Sequence, residues 1–422
     1  MNADLAARLR RLGVGKGTAA LKEPEQRRGA KKIESLIPGQ LLSAAGRVCF
    51  LVEQRFPLDF QHGVRPLDAL MNSSTQVAAD LVRETSLAPL SFRDLLFLDT
   101  ETTGLSAGAG TIAFLVGIGF FDGPHFVVRQ YFLRNPDDEP AMLADLAEQF
   151  DRRPGVVSFN GRAFDLPLLE SRYILNRRAT PFVDSPHLDL LPPSRRLWRE
   201  SLDSCRLIAL EEQVLGVRRD QADVPGGVIP IIYRDYLNTG NAIEMPRIFY
   251  HNQVDVLSMV SLTTHLCRVF ADPAAELHRG QEWLSLGKWY EALGLTARAE
   301  TAYRQAVQSD LPADAFQSGL HRLGWLLKRA GRREDADKVW QQLAVVEMDD
   351  VRGHVELAKS FEWHRKDPAG AAEWTRRALA LVDRWPRGLQ QLARPELAHR
   401  LARLERKLEA GRDDGAPPAE LE

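Results

Sequence analysis

Leu95-Leu-Phe-Leu-Asp-Thr-Glu-Thr-Thr-Gly104 is the stretch that decides the fold. The apolar run Leu95 to Leu98 stops at Asp99, and Glu101 follows two residues later. If the run is a strand, side-chain alternation places Asp99 and Glu101 on one face. Two carboxylates there, with no basic residue between them, repel each other unless a cation joins them. Hard oxygen donors of this kind suit Mg²⁺ or Mn²⁺. Thr102, Thr103 and Gly104 read as the turn leaving the strand. A lone Asp-x-Glu is as often an ordinary solvated strand end, so the decision falls to the rest of the chain.

Working outward, residues 92–271 have a legible order. Leu95–Leu98 is a first strand, Thr111–Phe121 a glycine-punctuated second, and Asp122-Gly123 a hairpin turn into a third over Phe126–Leu133. Helical spacing follows over Glu139–Phe150, then a strand at Val156–Phe159, a helix at Leu166–Asn176 and a short strand at His187–Leu191. Helices are expected over Leu202–Leu215, Ile231–Leu237 and Pro246–Phe270. Three antiparallel strands followed by strands alternating with helices predict an α/β fold, a mixed sheet with helices on both faces.

Two further carboxylates fall at element boundaries. Asp165, in Phe159-Asn160-Gly161-Arg162-Ala163-Phe164-Asp165, opens a helix with Pro167 in its first turn, a place where an Asp is also an ordinary cap. In the last long helix, His251 and Asp255 stand four residues apart on one face of an otherwise apolar element.

Asp99-x-Glu101 ending the first strand, Asn160 with Phe164-Asp165 after the fourth, and a His-containing motif before Asp255 resemble the three exonuclease motifs of the DEDD (DnaQ-like) superfamily. His187-Leu-Asp-Leu-Leu191, Leu210-Glu-Glu-Gln-Val-Leu-Gly216 and Asp223-Val-Pro-Gly226 are similar to its YprB-type branch. The resemblance implies a ribonuclease-H-like fold and removal of nucleotides from 3′ ends of DNA or RNA with two divalent cations, Mg²⁺ or Mn²⁺. It assigns Asp99, Glu101, Asp165 and Asp255 as metal ligands, one ion assisting water and the other the leaving 3′ oxygen. The general base departs from the family pattern. A histidine there usually stands five residues before the last Asp and a tyrosine four. Here Tyr250 is five before and His251 four before. Either could serve; His251 is favoured because imidazoles titrate nearer neutrality than phenols. Thr102, Asn160, Phe164 and Tyr250 are candidate substrate contacts. Phe164, Leu105 and Phe114 could stack on a terminal base, although core packing accounts for such residues as well. Arg162 and the group Arg195, Arg196 and Arg199 could track a phosphate backbone, a solvated face being the default for such residues. Asp189 reads as a supporting or edge residue, and the role of the Asp223 loop is open.

The 422-residue chain has a formal net charge of −2, so composition does not announce a nucleic-acid binder, and any basic surface is local. Three scattered cysteines (Cys49, Cys205 and Cys267) argue against a disulfide framework or a thiolate metal site and fit a reducing cytoplasm. The first residues lack the apolar segment of a signal peptide, and no apolar run approaches a membrane span. A mobile basic segment is expected at 1–38, with a short helix over Met1–Leu12. A lead-in over 39–91 follows, with a strand at Gly46–Arg55, a helix at Met71–Thr85 and a structural or surface His62. The ribonuclease-H-like domain is expected at 92–271, helical repeats at 272–410 and a disordered tail at 411–422. In the repeats, Leu286-Gly-x-x-Tyr290 with Ala299-x-x-x-Tyr303 begins a pattern that returns at Leu323 and Leu357. The period resembles tetratricopeptide repeats, with a capping helix over Pro386–Leu408 and a concave face for a possible protein partner. Two rival readings use the same residues: a non-catalytic binding or scaffold protein with a decayed nuclease fold, and a structure-specific endonuclease.

Overall fold

The computed structural model describes residues 30–104, 110–220, 223–346 and 350–413. They divide into two compact units, one of residues up to 195 with 204–276, the other of 196–203 with 277 onward. The expected helix over Met1–Leu12, Leu105 and residues 414–422 lie outside the described residues.

The first unit is built on a seven-stranded sheet. Its edge hairpin, β1 (Gln40–Ala44) and β2 (Arg47–Pro57), turns at Ala45 and Gly46, both at positive φ. A small ribbon follows, β3 (Gln61–His62) with β4 (Arg65–Pro66), and then α1 (Thr75–Val82). This helix is shorter than the sequence expectation because Ser74 caps it, accepting from the Gln76 N–H, while Met71 belongs to a separate 3₁₀ turn. The central strands are β5 (Leu95–Thr102), β6 (Ala113–Asp122) and β7 (His125–Phe132), followed by α2 (Glu139–Arg152), β8 (Gly155–Ser158), α3 (Asp165–Leu175) and β9 (His187–Asp189).

The strand order is β1-β2-β7-β6-β5-β8-β9, antiparallel from β1 to β5 and parallel from β5 to β9. The mixed sheet is thus as expected, and it is wider than residues 92–271 supply, because the β1–β2 hairpin pairs onto β7. Strand β6 is buried along nearly its whole length, the signature of a strand covered on both faces. Strand β5 runs four residues past Leu98, with Asp99 opposite Gly117 and Glu101 opposite Leu115, until a bulge at Glu101/Thr102. The turn therefore begins after Thr102.

The remaining helices of this region are α4 (Leu191–Trp198), α5 (Leu207–Leu210) leading into a π turn over Glu211–Leu215, α6 (Ile229–Thr239) and α7 (Met245–Ala271). The single helix expected over 202–215 is thus shorter and changes its winding. By length and composition α7 would suit a membrane span, but 78% of its most apolar window is inside the fold. Its apolarity is that of a core helix.

The second unit is helical. Three successive helix pairs, α8 (Gly280–Ala292) with α9 (Thr296–Gln308), α10 (Ala313–Arg329) with α11 (Arg333–Val346), and α12 (Arg352–Trp363) with α13 (Pro368–Val382), precede a long α14 (Arg387–Asp413). A small residue faces a large one where helices cross. A Cβ on Gly287 would strike Tyr303, and one on Gly324 would strike Trp340.

Candidate functional site

The carboxyl end of β5 is where the predicted acids meet. Alternation along the strand buries Leu98, Thr100 and Thr102 and leaves Asp99 and Glu101 partly accessible on the other face. Asp165 joins them from the first residue of α3. It does not cap that helix, since Phe164 holds the capping position; instead it accepts from the Thr100 hydroxyl at 2.5 Å. Asp255 and His251 arrive from α7, with His251 Nε2 at 3.7 Å from Asp255 Oδ2 and 3.9 Å from Glu101 Oε1.

The electrostatics show how close these acids are. Burial, then Asp255 and Asp165, push the Asp99 carboxyl well above the usual carboxylate range. Burial, then Asp99, Asp255 and Asp165, do the same to Glu101. Burial raises Asp165 to about 6, against the pull of the Thr100 hydroxyl. An oxygen-rich, mutually repelling set of this kind fits hard divalent cations in its donor chemistry. In their present rotamers, no three His, Cys, Asp or Glu groups among the described residues form a ready-made ion cage. Protein donors hold Asp99, Asp165 and Asp255 instead.

Several of those donors carried no sequence signal. Asn252, fully buried, donates to Asp99 Oδ2 at 2.8 Å and accepts from Gln130 at 2.9 Å. It fits only because residue 117, opposite Asp99, is glycine: a Cβ there would collide with the Asn252 amide. Arg219 donates to Asp255 Oδ1 and grips Glu211 through Nε and Nη2 at 2.6 and 2.7 Å. Asp223, in the loop of open role, accepts at 2.7 Å from the His251 ring at Nδ1. Arg219 Nη1 also lies 3.1 Å from Nδ1. A single ring nitrogen cannot both donate to Asp223 and accept from Arg219. The 2.7 Å contact assigns Nδ1–H to Asp223, and the neutral ring of that tautomer presents its Nε2 lone pair to Glu101 and Asp255. The motif Asp223-Val-Pro-Gly226 could have flagged this anchor, since Gly226 lies alongside Nε2.

The Thr102 hydroxyl is buried and committed to the Gly104 carbonyl at 2.6 Å. Asn160 is exposed, at φ 70°, in a turn held by Asp189, which accepts from the N–H groups of Asn160, Arg162 and Leu191. Asp189 therefore shapes the loop that delivers Asp165. Phe164 is half-buried beside Asp165. The Tyr250 hydroxyl accepts from the Asp220 N–H at 3.0 Å. Phe114 is fully buried and stacked on Tyr233 with centroids 3.8 Å apart, so it belongs to the core. His62 is also a core residue, 2.8 Å from the Ser258 hydroxyl.

The sheet thus carries four antiparallel pairings from β1 to β5 and two parallel ones from β5 to β9, with acids from β5, α3 and α7 at one end. Residues 96–267 match the model of the RNase_H superfamily. The first unit contains an RNase_H superfamily domain. The chain is also similar to YprB, an uncharacterized protein of Bacillus subtilis (strain 168). The two are 29% identical over 363 residues, 85% of this chain and 86% of that protein. The RNase_H superfamily domain, with its acids clustered at one strand end, points to nuclease chemistry on nucleic acid.

Proposed function

We propose that this protein is a metal-dependent 3′–5′ exonuclease that hydrolyses phosphodiester bonds of DNA or RNA. The observation that carries the reading is the convergence of Asp99, Glu101, Asp165 and Asp255 with His251, whose ring is anchored by Asp223. Divalent cations (Mg²⁺ or Mn²⁺, two by the family resemblance) held by the four carboxylates would acidify water and offset charge developing on the phosphate. His251, with Nδ1–H bound to Asp223, presents Nε2 as the acceptor for the proton of the attacking water. Asn252 and Thr100 fix Asp99 and Asp165 so that little reorganises during turnover. Tyr250, bonded to the Asp220 backbone, stands beside the base and contributes orientation. The helical unit, with small-on-large crossings of the tetratricopeptide kind, provides a surface for a protein partner.

The test uses purified protein with end-labelled single- and double-stranded DNA and RNA, with Mn²⁺ or with chelator, beside Asp99→Ala. Mononucleotides released from 3′ ends only with metal and only by the wild type are expected. Internal cuts would replace this reading with the endonuclease, and no cleavage of any substrate would favour the scaffold.

A further inference from the structure

Arg219 is an unusual resident for a site of this charge. Its side chain is only 6% exposed, and it lies among Glu211, Asp223 and Asp255. The backbone delivers it there deliberately. The π turn Glu211–Leu215 ends at Gly216 in the left-handed region, and the chain doubles back with the Val217 N–H on the Glu211 carbonyl. Burial opposes the charge on Arg219, but Glu211 and Asp255 more than offset it and hold the guanidinium firmly protonated. Arg219 cannot simply swing out, because Glu211 is fully buried and would be left as an uncompensated charge. One guanidinium also cannot neutralise the five acids around it, Asp99, Glu101, Asp255, Asp223 and Glu211.

We infer that Arg219 is a built-in cation that holds Asp255 in the metal-free site and competes with a divalent ion for that carboxylate. The inference rests on the metal-dependent reading above and concerns how strongly the site takes up its ion. A carboxylate oxygen already accepting a charged hydrogen bond has a positive charge beside it, and a second cation approaching that carboxylate is repelled. The same contact explains why the acids do not form a ready-made cage: Asp255 is turned to Arg219, Asp165 to Thr100 and Asp99 to Asn252. Of these three donors only Arg219 carries charge. It therefore weakens ion binding, whereas Thr100 and Asn252 merely orient their acids.

The experiment measures Mn²⁺ binding without nucleic acid, from the electron paramagnetic resonance signal of free Mn²⁺, together with thermal unfolding with and without the ion. Wild type is compared with R219Q, with E211Q/R219Q (which removes the buried partner charge as well) and with R219K, which keeps a positive charge. E211Q/R219Q should bind Mn²⁺ roughly tenfold or more tightly than wild type, given the strength of charge interactions at contact. Its Mn²⁺-induced rise in Tm should exceed that of wild type, and R219K should stay close to wild type. A role confined to stability would lower the Tm of the variants without tightening the ion. Equal Mn²⁺ affinity across wild type and all variants overturns the inference and leaves the nuclease reading intact. No Mn²⁺ binding by the wild type at millimolar concentration overturns the metal-dependent reading, and the inference with it.

Discussion

Gly117 makes room for the Asn252 amide, and a double-mutant cycle tests that shared space. Asn252→Ala removes the bond to Gln130 and the donor to Asp99 Oδ2, a loss of about 2–3 kcal/mol. Gly117→Ala drives a methyl group into the Asn252 amide, and overpacking plus the displaced hydrogen bonds should cost about 3 kcal/mol. In the double variant the methyl has the space that the amide vacated. It should therefore cost little more than Asn252→Ala alone, a coupling of about 2–3 kcal/mol. The assay is urea unfolding in EDTA followed by far-UV circular dichroism. All eight tryptophans lie in the second unit, so their emission reports that unit separately and serves as the control. Additivity of the two single changes within about 0.5 kcal/mol would refute the reasoning, because it would mean that residues 117 and 252 do not share space.

Asp99→Asn should abolish cleavage yet stabilise the metal-free protein by about 1–2 kcal/mol, since it removes one member of a repelling set; a lower urea midpoint in EDTA would contradict this. His251→Ala should reduce the rate by about 10²–10⁴-fold, as expected for a lost general base, and by more than Tyr250→Phe; the opposite order in single-turnover assays would move the base to Tyr250. Asp223→Ala should cost roughly 10–100-fold through loss of ring orientation, with Asp223→Asn recovering part of it. His62 is depressed to about 4 by burial and by Arg219, so the fold holds it neutral while the unfolded chain protonates near 6.5. Its contribution, up to about 3 kcal/mol, is present above pH 6.5 and is lost as pH falls towards 4; His62→Gln should flatten that part of the stability–pH curve.

What was legible in the sequence was what local periodicity encodes. The apolar run before Asp99, the hairpin at Asp122-Gly123 and the face shared by His251 and Asp255 each follow from repeats of two or of about three and a half residues. Asp99, Glu101 and Asp165 were found because they stand where an element ends or opens, and Asp255 because it shares a helical face with His251. The partners that position them were not, since those contacts join residues far apart in the chain. Asn252 reads as one more polar residue on a core helix, and only the fold reveals Asp99 on one side of it and Gln130 on the other. Arg219 reaches Asp255 through a π turn, a winding with no periodic signature. The hairpin at 40–57 looked like a lead-in because its pairing with β7 spans about 75 residues, beyond any local signal.

A common logic links the residues that were missed. One oxygen of Asp99 is fixed by Asn252, one of Asp165 by Thr100 and one of Asp255 by Arg219. Each acid from a different element is thus aimed by its own donor, while Glu101 has His251 Nε2 beside it at 3.9 Å. Fixing one oxygen of a carboxylate sets the direction of the other, which is how a supporting shell pre-organises a ligand set without filling it. Neutral donors do this for Asp99 and Asp165 with no competing charge. Asp255, which shares its helical face with His251, the proposed base, is held by a cation instead. Orientation and ion affinity are therefore separable at this site, and Arg219 is the residue at which they part.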